Sequence, residues 1–93
     1  MVIAVCTVQL ELFAHSLKDK RSVVKPILSR VRDRFNVSAA EVDDHDLWGQ
    51  TTLAFVCVST EAAYANGLLT RVVEYIEQSH LDANLLGYHI ELL

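Results

Sequence analysis

Residues that break regular structure are scarce in this chain. Three glycines and one proline among 93 residues leave few positions where a helix or strand must stop. No repeat, low-complexity stretch or linker divides the chain, so residues 1–93 are expected to form one domain. That length supports a single hydrophobic core and not two. Cysteine is nearly missing: Cys6 and Cys57 stand apart in apolar runs, with no CxxC. They are read as reduced, buried thiols rather than as a disulfide framework. No apolar run reaches the roughly 18 residues that span a bilayer. The opening MVIAVCTVQLEL carries Gln9 and Glu11 and lacks the basic start and small-residue cleavage pattern of a signal peptide. The expectation is therefore a cytoplasmic protein with no membrane partner. GxSxG, P-loop and GxGxxG motifs are all absent. What the chain has in quantity is apolar residues, 52% against 22% charged, the balance of a packed globular protein rather than a disordered one.

Positive charge is also in short supply, and it is unevenly placed. The formal net charge is −4, yet the segment SLKDKRSVVKPILSRVRDRF, residues 16–35, holds seven of the eight basic residues. Those seven face two acids there, a local balance of +5, while the remainder sets Arg71 against ten acids, −9. A uniformly acidic surface repels nucleic acid. A divided one can attract an anion to one side or pair with a copy of itself.

Periodicity sets the elements. In residues 2–12 the even positions Val2, Ala4, Cys6, Val8, Leu10 and Leu12 are all apolar, the period-two pattern of a strand. A helix is expected over 17–35. Ser16 is a natural N-cap with Asp19 three residues on, and Leu17, Val24, Ile27, Leu28, Val31 and Phe35 recur at helical spacing. Pro26 lacks a backbone donor and crowds the preceding turn, so a kink is expected there. Residues 36–43 and 50–59 read as strands joined by the polar turn DHDLWG. A second helix spans 60–80, capped by Ser59 or Thr60, with Ala65, Leu68, Leu69, Val72 and Ile76 as its apolar stripe. A last strand covers 83–93, with Leu86, Tyr88, Ile90 and Leu92 alternating. The order β-α-β-β-α-β predicts an α+β, ferredoxin-like fold: a four-stranded antiparallel sheet, strands 1 and 3 central, both helices on one face and the other face open.

This topology gathers distant residues at one pole of the sheet. The first helix begins where the turn between strands 2 and 3 lies and where the second helix ends. Lys18, Lys20 and Arg21 thus meet Asp43, Asp44, His45, Asp46 and Trp48, with His15 and His80 nearby. A helix N-terminus favours acids, so three basic residues in the first turn suit an external anion better than the helix itself. At about 100° per residue, Lys18, Arg21, Lys25 and Arg32 share a stripe beside the apolar face, a candidate surface for RNA phosphates. Two plainer readings stand beside it: a solvated helix face, or neutralisation of the basic turn by Asp43–Asp46, within the chain or across a dimer. Trp48 either folds over the sheet edge as a lid on the core or contacts a partner, as interface tryptophans do. With Ile3 and Val5 on the open face, it makes self-association, a homodimer first, plausible.

Other chemistries fit less well. His15, His45 and His80 with Asp43, Asp46 or Asp82 are metal-ligand types, but their spacing matches no ligand motif and the neighbouring cations oppose a metal, so no metal or other cofactor is expected. His45 among aspartates has no evident nucleophile or oxyanion donor, so no catalytic residue is assigned. Among ferredoxin-like proteins, an RNA-recognition motif needs stacking aromatics and basic residues on the central strands, where strand 3 offers only Phe55. A metallochaperone needs CxxC, and an acylphosphatase needs an arginine in the first loop, where this chain has FAHS.

SLKDKR at 16–21, RFNVS at 34–38, AEV at 40–42 and DLW at 46–48 resemble the YlxP-like bacterial family, a domain of unknown function, and the likeness runs over essentially the full chain. The resemblance implies a small ferredoxin-like domain, often encoded near translation and ribosome-maturation genes, with no assigned activity. It picks out Ser16, Lys18, Lys20, Arg21, Asn36, Glu41, Asp46 and Trp48 as matching positions. The reading is of a non-catalytic cytoplasmic protein that binds RNA or a ribosome-assembly particle. Lys18, Lys20, Arg21, Lys25 and Arg32 would contact phosphates, and Trp48 and Asp46 would face the partner. The alternative is a homo-oligomeric interaction module using the open sheet face and the Trp48 turn.

Overall fold

The computed structural model describes residues 1–79 and 82–93. Six elements follow in the order β1 (Val2–Leu12), α1 (Leu17–Arg34), β2 (Ser38–Asp43), β3 (Gln50–Ser59), α2 (Ala62–Ser79) and β4 (Ala83–Leu92). The sheet order is β2-β3-β1-β4, with every neighbouring pair antiparallel. This is the ferredoxin-like α+β arrangement, and the long central strands draw it out to 42 × 21 × 19 Å.

Strand alternation decides which face the helices cover. In β1, Ala4, Cys6, Val8, Leu10 and Leu12 are buried, and in β3 Thr51, Leu53, Phe55 and Cys57 are buried. From above, α1 supplies Val24, Ile27, Leu28 and Val31, and α2 supplies Ala65, Leu68, Leu69, Val72, Val73 and Ile76. Phe55 is the largest of the fully buried side chains, so its truncation would open the widest void. Cys6 and Cys57 are buried free thiols. Burial pushes Cys6 up to about 11 and raises Cys57 as well.

Local signals set the helix ends. The Ser16 hydroxyl accepts from the Asp19 N–H at 3.1 Å, and the Asp19 carboxylate accepts from the His15 N–H at 3.2 Å, a reciprocal cap. Pro26 lies inside α1, which continues through it. The start of α2 falls after Glu61, whose carbonyl accepts from Ala65 N–H while its own N–H bonds Ser59 Oγ. Its expected end at His80 lies outside the described residues.

Several details differ from expectation, among them the end of α1 and the start of α2, at Arg34 and Ala62 rather than 35 and 60. Strand β2 starts at Ser38 rather than 36. Leu17 is 37% exposed, and the position facing inward one turn on belongs to Lys20, 3% exposed. In β4 the register shifts between the partners of Gln9 and Leu10, so that Leu85 pairs with Leu10 and Gly87 with Gln9. The extra residue is Leu86, which is exposed, while Ala83 and Leu85 pack against the core. A bulge of this kind lets one strand change which residues it turns inward partway along. A second shift, between Glu41 and Asp43, leaves Val42 as the extra residue of β2.

Candidate functional site

Strand β1 leads up to the pole where α1 begins, and the β2–β3 turn, residues 44–49, closes over it. A backbone bond from Leu12 N–H to Gly49 C=O, 2.8 Å, ties the two together. Asp44 shapes the turn. Its φ of 63° is left-handed, a conformation aspartate tolerates better than most residues. Its carboxylate accepts from Gln50 Nε2 at 3.1 Å and Thr52 Oγ1 at 2.8 Å.

Under this turn lies a polar triad inside an otherwise apolar layer. Lys20 follows the inward stripe of α1, four residues before Val24. Glu41 sits on the helix-covered side of β2, paired across the ladder with buried Leu53. The Lys20 ammonium meets the Glu41 carboxylate at 3.0 Å, and Thr51 Oγ1 donates to the same carboxylate at 2.6 Å. Lys20 also donates to the Asp44 carbonyl and, at 3.4 Å, to that of His45. Burial pushes the Glu41 carboxyl up, but the hydrogen bonds from Thr51 and Lys20 and the charges of Lys20 and His45 outweigh it and hold the group below its ordinary range. Within the basic first turn, Lys20 is thus balanced by Glu41 and by turn carbonyls, while Lys18 and Arg21 are not, among the described residues. The side chains of Asp43, Asp44 and Asp46 form no ion pair with this first turn among the described residues.

The basic residues of α1 divide by task. Lys20 is engaged in the interior and does not belong with an exposed phosphate-binding set. Arg32 donates to the Ala39 carbonyl of β2 at 2.9 Å, which leaves other guanidinium donors facing outward. Arg34 lies over the Tyr75 ring at 4.7 Å. Lys18, Arg21, Lys25 and Arg30 are exposed and form no ion pair among the described residues. Lys18 to Arg32 spans fourteen residues of helix, about 21 Å.

Between α1 and the turn opens a cleft of about 420 Å³, within the size range of ligand sites. Leu17, Val24 and Leu28 supply apolar walls, Lys20 and Glu41 the floor, Arg21 and Lys25 the helix side, and His45 and Asp46 the turn side. Charge patterning points to the basic residues here. The cleft itself depends on Leu17 staying partly out of the core, which helical spacing does not foretell. Trp48 is 52% exposed and its neighbour Leu47 is exposed too, so Trp48 is not a lid over the core. Among the described residues no group of three or more His, Cys, Asp or Glu is placed to hold a metal ion. His80 lies outside the described residues.

Against known proteins, residues 3–90 match the family model described as "Protein of unknown function (DUF503)". The chain belongs to the DUF503 family. It is also similar to "Uncharacterized protein YlxP" of Bacillus subtilis, 41% identical over 64 residues that cover 69% of this chain and 70% of that protein. The family description assigns no activity, so for this DUF503 chain the chemistry of the pole is the guide to function. No helix among its described residues is long and apolar enough to cross a membrane.

Proposed function

We propose that this DUF503 protein is a non-catalytic binding module for RNA or an RNA-containing assembly, engaged through the outer face of α1. The observation that carries this reading is a set of cations left without ion pairs, among the described residues, on an acidic protein. Lys18, Arg21 and Lys25 are exposed, and Arg32 turns spare donors outward, although the chain as a whole carries −4. Phosphates in series along a strand match such a stripe, and the free N–H groups of the first helical turn add to its attraction for anions. Four phosphate contacts predict a log–log salt slope of about −3 for single-stranded RNA. Fluorescence anisotropy of a labelled structured RNA, at low and physiological salt, is the test. Binding is expected to fall steeply with salt and to be lost when Lys18, Arg21, Lys25 and Arg32 are changed to Glu. No binding by folded wild type at low salt would refute the reading.

A second reading rests on the uncovered face of the sheet, where Ile3, Val5, Ala54 and Val56 are half-buried and Val58 is 64% exposed. A second copy of the chain laid on this face would cover it. Sedimentation would then report a dimer that survives high salt and dissociates on Val58→Glu, in contrast with salt-sensitive RNA binding.

A further inference from the structure

The stripe of cations uses only half of what α1 and the turn present. Phosphate oxygens gain nothing from the apolar walls of Leu17, Val24 and Leu28, and they are repelled by Asp46 on the opposite side of the cleft. Asp46 is exposed and makes no hydrogen bond or ion pair among the described residues. Glu41, on the cleft floor, is already satisfied by Lys20 and Thr51. The occupant that suits this half is compact and largely apolar, and it brings N–H donors to a carboxylate. At the same time it must carry an anion within reach of Arg21 and Lys25. A nucleotide whose base has left its stack has all of these features: a heteroaromatic body, donors on its edge and a phosphate on its other end.

We propose that the cleft seats one unstacked base of a single-stranded RNA segment, with the base edge on Asp46 and its phosphate on Arg21 and Lys25. The proposal rests on the RNA reading above and narrows it to a class of RNA. Duplex RNA keeps its base edges paired and stacked, out of reach of such a cleft. Base identity matters too. Guanine presents adjacent N1–H and N2–H₂ donors to a carboxylate, adenine and cytosine present one amino group, and uracil presents a single imino N–H flanked by two oxygens that Asp46 repels. Guanine is therefore preferred and uracil disfavoured, by about tenfold for a two-bond contact.

The test compares a labelled 12-nucleotide single strand with the same strand annealed to its complement, at one ionic strength. Single strands carrying one central G or one central U, and the free mononucleotides GMP and UMP, run in parallel. Tighter binding of the single strand, a preference for G over U, and loss of that preference in Asp46→Asn are the expected results. Equal affinity for single strand and duplex with no base preference would overturn the cleft seat and leave phosphate-driven RNA binding standing. GMP binding as tightly as the strand would overturn the strand in favour of a free nucleotide. Failure of every RNA at low salt would remove the RNA reading and the cleft seat together.

Discussion

Glu41 and Lys20 form one ion pair, yet removing one or the other should have unequal consequences. At 3.0 Å two unit charges attract by roughly 5–6 kcal/mol at an effective dielectric near 20, against a desolvation cost of several kcal/mol per buried ion. The side-chain exposures are 3% for Lys20 and 20% for Glu41. Glu41→Gln leaves a buried ammonium with carbonyl acceptors but no counter-charge. Losses of about 3–5 kcal/mol are usual for such orphaned charges, and the Asp44 and His45 carbonyls place this one near 3. Lys20→Met leaves a carboxylate that keeps its Thr51 bond and reaches water, while the methionine stem stays in the apolar stripe. About 1 kcal/mol is expected there. For a chain of this length those costs correspond to melting temperatures lower by about 12–24 °C and about 4–8 °C. Urea unfolding followed by circular dichroism reads both at unchanged m-value. The double variant should lie close to Glu41→Gln alone or above it in stability, because the methionine removes the orphaned charge. Lys20→Met as damaging as Glu41→Gln would refute the argument that burial of the lysine sets the cost.

Two more outcomes follow from the same interior. The Glu41 carboxyl is held below its ordinary value of 4.5, so between that value and the depressed folded one the unfolded chain binds more protons. Its stabilisation is fully present above pH 4.5 and is lost as pH falls through the folded value; the gap in urea midpoint between wild type and Glu41→Gln should close over that acidic window, and a gap constant down to complete protonation would contradict it. Cys6, buried with its thiol pushed up to about 11, and Cys57 should both resist a thiol-disulfide reagent at pH 8 in the native protein and react once urea unfolds it; rapid native labelling of either would show that the β1–β3 core is open.

Much of this fold is legible in the sequence because one physical rule dominates each central element. The even residues of β1 are apolar without exception, so its buried face has only one register. Ser16 and Asp19 mark the first helix by capping chemistry that few other positions could supply. The last strand is harder, because Leu85 and Leu86 are adjacent and identical. Alternation counted back from Leu92 selects Leu86, whereas the ladder selects Leu85 by absorbing one residue in a bulge. Lys20 illustrates a different obstacle. Its spacing from Val24, Ile27 and Val31 puts it on the inward stripe, but a lysine reads as surface until its counter-charge is known. That counter-charge lies on an edge strand, and only the pairing of Glu41 with Leu53 shows that it faces the helix. The acidic turn was an available partner by charge alone, while the actual partners are Glu41 and the carbonyls of the turn, and backbone carbonyls leave no mark in composition. The cleft was hidden for the related reason that Leu17 and Lys20 exchange the roles their chemistry suggests.

The Arg32 bond to Ala39 also bears on how sheets of this protein can meet. β2 is short, carries a bulge at Val42, and has the guanidinium on the carbonyl of its second residue, Ala39, three devices that discourage strand addition. β4 is longer and runs without a shift from Gly87 to Leu92. A sheet with two open edges can extend indefinitely, copy after copy. With one edge closed, pairing through the other can only join two molecules across a twofold axis, and growth ends there.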